Sequence, residues 1–127
     1  MTAIQHEWAT LSAKDGTSLD AYVARPASAG DIRAGILVFQ EIWGVTKHIR
    51  EVTDRFARLG YLALAPDLFH RSAGARFEAP YTEMTGYEHL KQLTPEGVKA
   101  DVEAGYAFLA RELEDKGARI ASCGFCM

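Results

Sequence analysis

Three short apolar runs most constrain how this chain can fold: AGILVFQ at 34–40, YLALAP at 61–66 and ARIASCG at 118–124. Uninterrupted runs of this length suit strands that are covered on both faces, as in a parallel sheet packed between helices. The spans between them read as helices. Residues 47–59 place Ile49, Val52, Phe56 and Leu59 at helical spacing, with Thr46 as N-cap and Gly60 at the C′ position. In TPEGVKADVEAGYAFLARELEDKG, Thr94 caps, Pro95 takes the first turn and Glu96 favours the positive end of the dipole. Val98, Val102, Tyr106 and Leu109 are its expected buried stripe, and Gly117 its stop. Strand, helix, strand, helix, strand places the chain in the α/β class, with a mainly parallel sheet and right-handed crossovers.

Ahead of this unit the pattern is antiparallel. Ile4 to Ser12 alternates loosely between apolar and polar, Asp15-Gly16 signals a hairpin turn, and LDAYVARP returns to Pro26. ASAGDIR at 27–33 is a small polar loop. Residues 67–93 form a long segment of Gly, Pro and polar residues with a short helix expected near its end; connections of this length are usually functional.

Composition narrows the function classes. With 14 basic and 17 acidic residues interleaved to a net charge of −3, the chain has no clustered cationic surface for nucleic acid. No run of about 18 apolar residues would span a membrane. The first ten residues, MTAIQHEWAT, lack a signal peptide's basic start and apolar stretch, so the expected compartment is cytoplasmic. The two cysteines, Cys123 and Cys126, are expected as free thiols and not as a disulfide framework.

In open α/β sheets, ligands bind beyond the carboxyl ends of the strands. Three segments lie there: QEIWG, PDLFHR and GFCM. A strand followed by Gly-x-nucleophile-x-Gly is the nucleophile elbow of the α/β-hydrolase fold, and Gly124-Phe125-Cys126-Met127 matches its first four positions with Cys in place of Ser. Glu41 sits at the end of the first buried run. Trp43 reads equally as pocket wall or core, and His70, after the second run, as a possible pocket residue. His48 reads as solvated or capping, and His6 and His89 carry no signal.

Together, Gln40-Glu41-Ile42-Trp43-Gly44-Val45, GYLALAPDLFHR at 60–71 and CGFCM at 123–127 make the chain similar to the dienelactone hydrolase family, over essentially its whole length. The resemblance implies the α/β-hydrolase fold, with residues 1–127 as the N-terminal portion of one domain. It also implies a Cys-His-Asp triad in which Cys126 is the nucleophile, and a carboxylate, Glu41, that accepts a hydrogen bond from the thiol. The fold's oxyanion hole falls by position on the backbone N–H groups of Ile42 and Met127. The implied reaction opens an enol-lactone to a diacid, with a small lactone or ester as the partner molecule and no metal or cofactor. The family's Asp and His lie beyond the elbow, so the C-terminal half of the enzyme is expected to pack on this segment, and 127 residues are not expected to be the native polypeptide. Arg71 and Arg76 fall in the 67–93 segment without a match to a family position.

Two other classes remain open. Cys123-Gly-Phe-Cys126 also spells Cys-x-x-Cys, a thiol-disulfide redox motif, although such motifs normally precede a helix and sit early in the fold. A truncated, non-catalytic binding module is the third reading, since no triad can be completed within the chain.

Overall fold

A computed structural model describes residues 3–113 and 119–125. Five strands form one mixed sheet in the order β1-β2-β4-β3-β5: β1 (Ile4–Ser12), β2 (Ser18–Pro26), β3 (Ala34–Phe39), β4 (Tyr61–Pro66) and β5 (Ile120–Gly124). The β1–β2 and β2–β4 pairings are antiparallel, and β3 runs parallel to both β4 and β5. The expected hairpin is present, turning where Gly16 takes φ +89° and the Asp15 carboxylate accepts the Thr17 N–H at 3.1 Å.

The apolar runs supply both faces of the sheet because side chains alternate along a strand. Leu62 and Leu64 of β4 join Leu37, Val23 and Leu109 in one core layer. Ala63 and Ala65 join Ile36, Val38, Ile49 and Val52 in the other. Helix α1 (Lys47–Arg58) covers the second layer and α4 (Pro95–Leu113) the first. Within 67–93, α2 (His70–Ala73) had no sequence signal, whereas α3 (Gly86–Leu90) is the short helix expected near the end of that segment.

Both expected N-caps form. Thr46 Oγ1 accepts the Ile49 N–H at 3.3 Å, and Thr94 Oγ1 accepts the Gly97 N–H at 3.0 Å. Gly60 follows α1 with φ +103°, the left-handed conformation that its C′ position requires.

Two expected stripes differ from the observed faces. Leu59 is 69% exposed, and Thr53 and Ala57 complete the buried side of α1 in its place. On α4, Tyr106 is 53% exposed, and the fully buried row is Gly97, Asp101, Gly105, Leu109 and Leu113. The reason is close approach. A Cβ on Gly105 would stand 3.0 Å from Leu37 Cδ2 and 3.2 Å from Leu64 Cδ2, so small residues, and not the bulkier apolar ones beside them, seat this helix on the sheet. β5 pairs with β3 at the end of the sheet, and Ala121, Ser122 and Gly124 are exposed. The helix stop read at Gly117 lies outside the described residues.

Candidate active site

At the carboxyl edge of the sheet, Phe39 at the end of β3 stands in register with Gly124 at the end of β5. The chain leaves β3 through Gln40, which is fully buried. Its Oε1 accepts the Leu68 N–H at 2.7 Å and its Nε2 donates to the Glu41 carbonyl at 3.2 Å. One amide thereby ties the exit of β3 to the exit of β4.

Beyond β4, Asp67 organises the second exit. Its carboxylate accepts the Phe69 N–H at 3.3 Å and the Arg76 N–H at 2.6 Å. Burial raises its pKa above the ordinary carboxylate value, and the two donors offset only part of that. Arg76 takes φ +60°, uncommon for a side chain of its size, at the point where its N–H meets this carboxylate.

The segment 77–86 is clasped onto the loop after β3. Ala79 donates its N–H to the Trp43 carbonyl at 3.0 Å, and Trp43 Nε1 donates to the Glu83 carbonyl at 2.9 Å. Two glycines permit this approach. A Cβ on Gly44, which has φ +101°, would stand 2.0 Å from the Phe77 carbonyl oxygen, and one on Gly86 would stand 1.8 Å from the Ile42 carbonyl oxygen. Glu78 locks the same junction to α1 by accepting from the Lys47 N–H at 3.0 Å and from Arg50 at 2.9 Å. Partial burial acts to raise the Glu78 pKa, but these donors and the Arg50 charge outweigh it, and the net shift is downward.

Glu41, Trp43, His48 and Tyr81 line an open concavity of about 380 Å³ at this edge. The Tyr81 hydroxyl donates to Glu41 Oε1 at 3.3 Å, and the Tyr81 ring stands edge-on to Trp43 with centroids 4.7 Å apart. Phe125, the first residue after β5, has its ring 6.4 Å from that of His48. Ile42 is buried, and its N–H meets no acceptor among the described residues.

Of the residues singled out from sequence, Glu41 and Trp43 thus share one concavity, with Ile42 between them. Cys126 and Met127 lie outside the described residues. His70 does not line that space. Its side chain is 6% exposed, and its Nε2 lies 3.0 Å from Asp101 Oδ1, on the fully buried Asp101 of α4. Arg71 grips the same carboxylate through two hydrogen bonds of 2.9 Å and extends to Asp15 and Thr17. The physical reason is burial: a carboxylate inside the α4 contact must be met by donors, and His70 and Arg71 face it. Arg76 is likewise committed elsewhere, to Asp20 at 2.8 Å and over the Trp8 ring at 4.7 Å.

Two residues of this edge, Gln40 and Tyr81, carried no role of their own in the sequence reading, and His48, read there as solvated or capping, is exposed and lines the concavity. Gln40 stood inside the QEIWG motif, and a polar residue closing an apolar run is a signal for a buried hydrogen bond. His48 follows that motif within one helical turn, which places it near a strand exit. Tyr81 lies in an aperiodic stretch and had no such signal.

The dienelactone hydrolase family model matches residues 19–127. A Synechocystis protein named "Putative carboxymethylenebutenolidase" is 35% identical over 108 residues, covering 83% of this chain and 43% of the relative. A Methylorubrum extorquens protein of the same name is 36% identical over 113 residues, covering 89% of this chain and 38% of the relative. Among solved structures, one named "Putative Dienelactone Hydrolase" from Klebsiella pneumoniae superposes with a TM-score of 0.79 at 30% identity, covering 98% of this chain and 50% of the other. The chain therefore spans half or less of the length of these relatives.

Proposed function

This chain belongs to the dienelactone hydrolase family, and from that premise we propose that it carries the nucleophile side of an enzyme that hydrolyses lactone and carboxylic ester bonds through Cys126. The observation that supports this most is the convergence of two strand exits. The family match runs through the Gly-Phe-Cys-Met stretch after β5, and the last residue of that strand, Gly124, pairs with Phe39, two positions before Glu41. The triad's Asp and His come from outside these 127 residues, in the C-terminal half that packs on this segment.

The chemistry follows from these groups. A thiol with an ordinary pKa of about 8.5 is mostly protonated at neutral pH, so it needs a proton acceptor. Glu41 is that acceptor. Its negative charge also disfavours a thiolate beside it, so activation accompanies substrate binding. The Cys126 Sγ–H proton passes to the carboxylate, Sγ bonds to the lactone carbonyl carbon, and the oxyanion is held by the Ile42 and Met127 N–H groups. Collapse breaks the ring C–O bond and releases an enolate, which takes the proton held on Glu41 and becomes the ketone, leaving Glu41 a carboxylate again. Water then attacks the thioester, restoring the thiol and releasing a second carboxylate. For a dienelactone the product is a diacid such as maleylacetate, the chemistry of aromatic-compound breakdown in the cytoplasm. The N–H of Ile42, unpaired among the described residues, and the aromatic walls Trp43 and Tyr81 are consistent with this use of the edge.

The test is hydrolysis of an enol-lactone and of p-nitrophenyl acetate by the full-length protein. Cys126→Ala should abolish turnover while Cys123→Ala retains it. Equal activity in both variants, or a reversible Cys123–Cys126 disulfide that governs activity, would sink the reading.

A further inference from the structure

We propose that Tyr81 is a positioning residue for Glu41, holding the carboxylate through its hydroxyl in the orientation from which it serves the thiol; this rests on the functional reading above. Among the described residues, the Tyr81 hydroxyl is the side-chain donor that meets the Glu41 carboxylate, at 3.3 Å on Oε1. A carboxylate that accepts a proton as a base is effective only when its orientation is set beforehand, and a half-exposed glutamate has three rotatable bonds to restrain.

Tyr81 is itself fixed from two directions. Its ring stands edge-on to Trp43 at 4.7 Å, and the Trp43 indole N–H is anchored to the Glu83 carbonyl at 2.9 Å. The Tyr81 backbone follows Ala79, whose N–H is bonded to the Trp43 carbonyl at 3.0 Å. The loop that carries Glu41 and the segment that carries Tyr81 are therefore tied to each other at three points. A residue acting only as a pocket wall needs the ring and the Trp43 contact; the hydroxyl on Glu41 is what a positioning role adds.

The experiment is a double-mutant cycle in the full-length protein with Tyr81→Phe, which keeps the ring, and Glu41→Ala. Two readouts are taken: the rate of iodoacetamide alkylation at Cys126, followed by intact mass at fixed pH, and kcat and KM for p-nitrophenyl acetate. The expected result is a change of about three- to ten-fold in the alkylation rate and a similar fall in kcat on Tyr81→Phe, the size of one hydrogen bond to a charged group. KM should stay within about two-fold, and the alkylation change should vanish in the Glu41→Ala background. An equal Tyr81→Phe effect in both backgrounds, or a rise in KM alone, overturns the proposal and leaves Tyr81 as a wall. Full hydrolysis by Cys126→Ala or Glu41→Ala instead overturns the functional reading, and this inference falls with it.

Discussion

The side-chain oxygen of Gln40 accepts the backbone N–H of Leu68 at 2.7 Å, with Gln40 wholly shielded from solvent. This single bond spans the exits of β3 and β4, and the β3 exit leads directly to Glu41 at the concavity. It also leaves the amide nitrogen of Gln40 free to hold the Glu41 carbonyl. The orientation of the Glu41 backbone is thus set from inside the sheet, while its carboxylate is met from outside by Tyr81.

Replacing Gln40 with Leu should therefore destabilise the fold. The Leu68 N–H would lose its acceptor in a dry position, at a cost of about 1–3 kcal/mol. Urea denaturation checks the loss, and amide hydrogen exchange at Leu68 should quicken in the variant.

Gly86→Ala should damage the site more than its conservative chemistry suggests. The new methyl would meet the Ile42 carbonyl oxygen at 1.8 Å, and relief requires moving the loop that carries Glu41 and the Ile42 N–H. Turnover should fall by at least ten-fold, on the order of the loss of one oxyanion donor's alignment. Gly30→Ala, where a methyl meets open space, is the control and should leave turnover unchanged.

Asp101→Ala should be among the most disruptive single changes. It leaves the His70 and Arg71 donors without the buried carboxylate that both contact, and breaking a buried charged pair from one side costs about 3–5 kcal/mol. Asp15→Asn, at the exposed end of the same arginine, should change stability far less. Thermal melts of the two variants measure the contrast.

Asp67 gives a pH dependence whose sign is set by burial. Its folded pKa lies above its unfolded value of 3.8, chiefly because the buried carboxylate is desolvated. The native state therefore binds the proton more tightly. The contribution of Asp67 to stability is full below pH 3.8 and is lost as pH rises through the raised folded value. The stability of the parent protein relative to Asp67→Asn should accordingly shrink between pH 4 and pH 7, measured by urea midpoints at each pH. A relative stability that grows over that range would reverse the assignment.

Sequence by itself determined the order of the elements. The apolar runs had strand length, Thr46 and Thr94 sat at helix starts, and Gly60 sat at a helix end; all are local signals and all hold in the structure. The edge of the sheet that bears Glu41 was legible for the same reason, since the exit of a strand follows from the strand.

What only the tertiary structure decided are pairings across distance. Periodicity on α4 pointed to Val102 and Tyr106, but the row one position earlier faces the sheet, because Gly105 lets the helix approach Leu37 and Leu64 and Asp101 finds donors there. His70 followed a strand exit, as a pocket residue would, yet turned to Asp101, 31 residues away. Tyr81 had no pattern around it and came to Glu41, 40 residues away, through the clasp at Gly44 and Gly86. A hydrophobic period resolves a helix face to about one residue; which face wins, and which donor meets which carboxylate, depends on the desolvation of groups that meet only when the chain has packed.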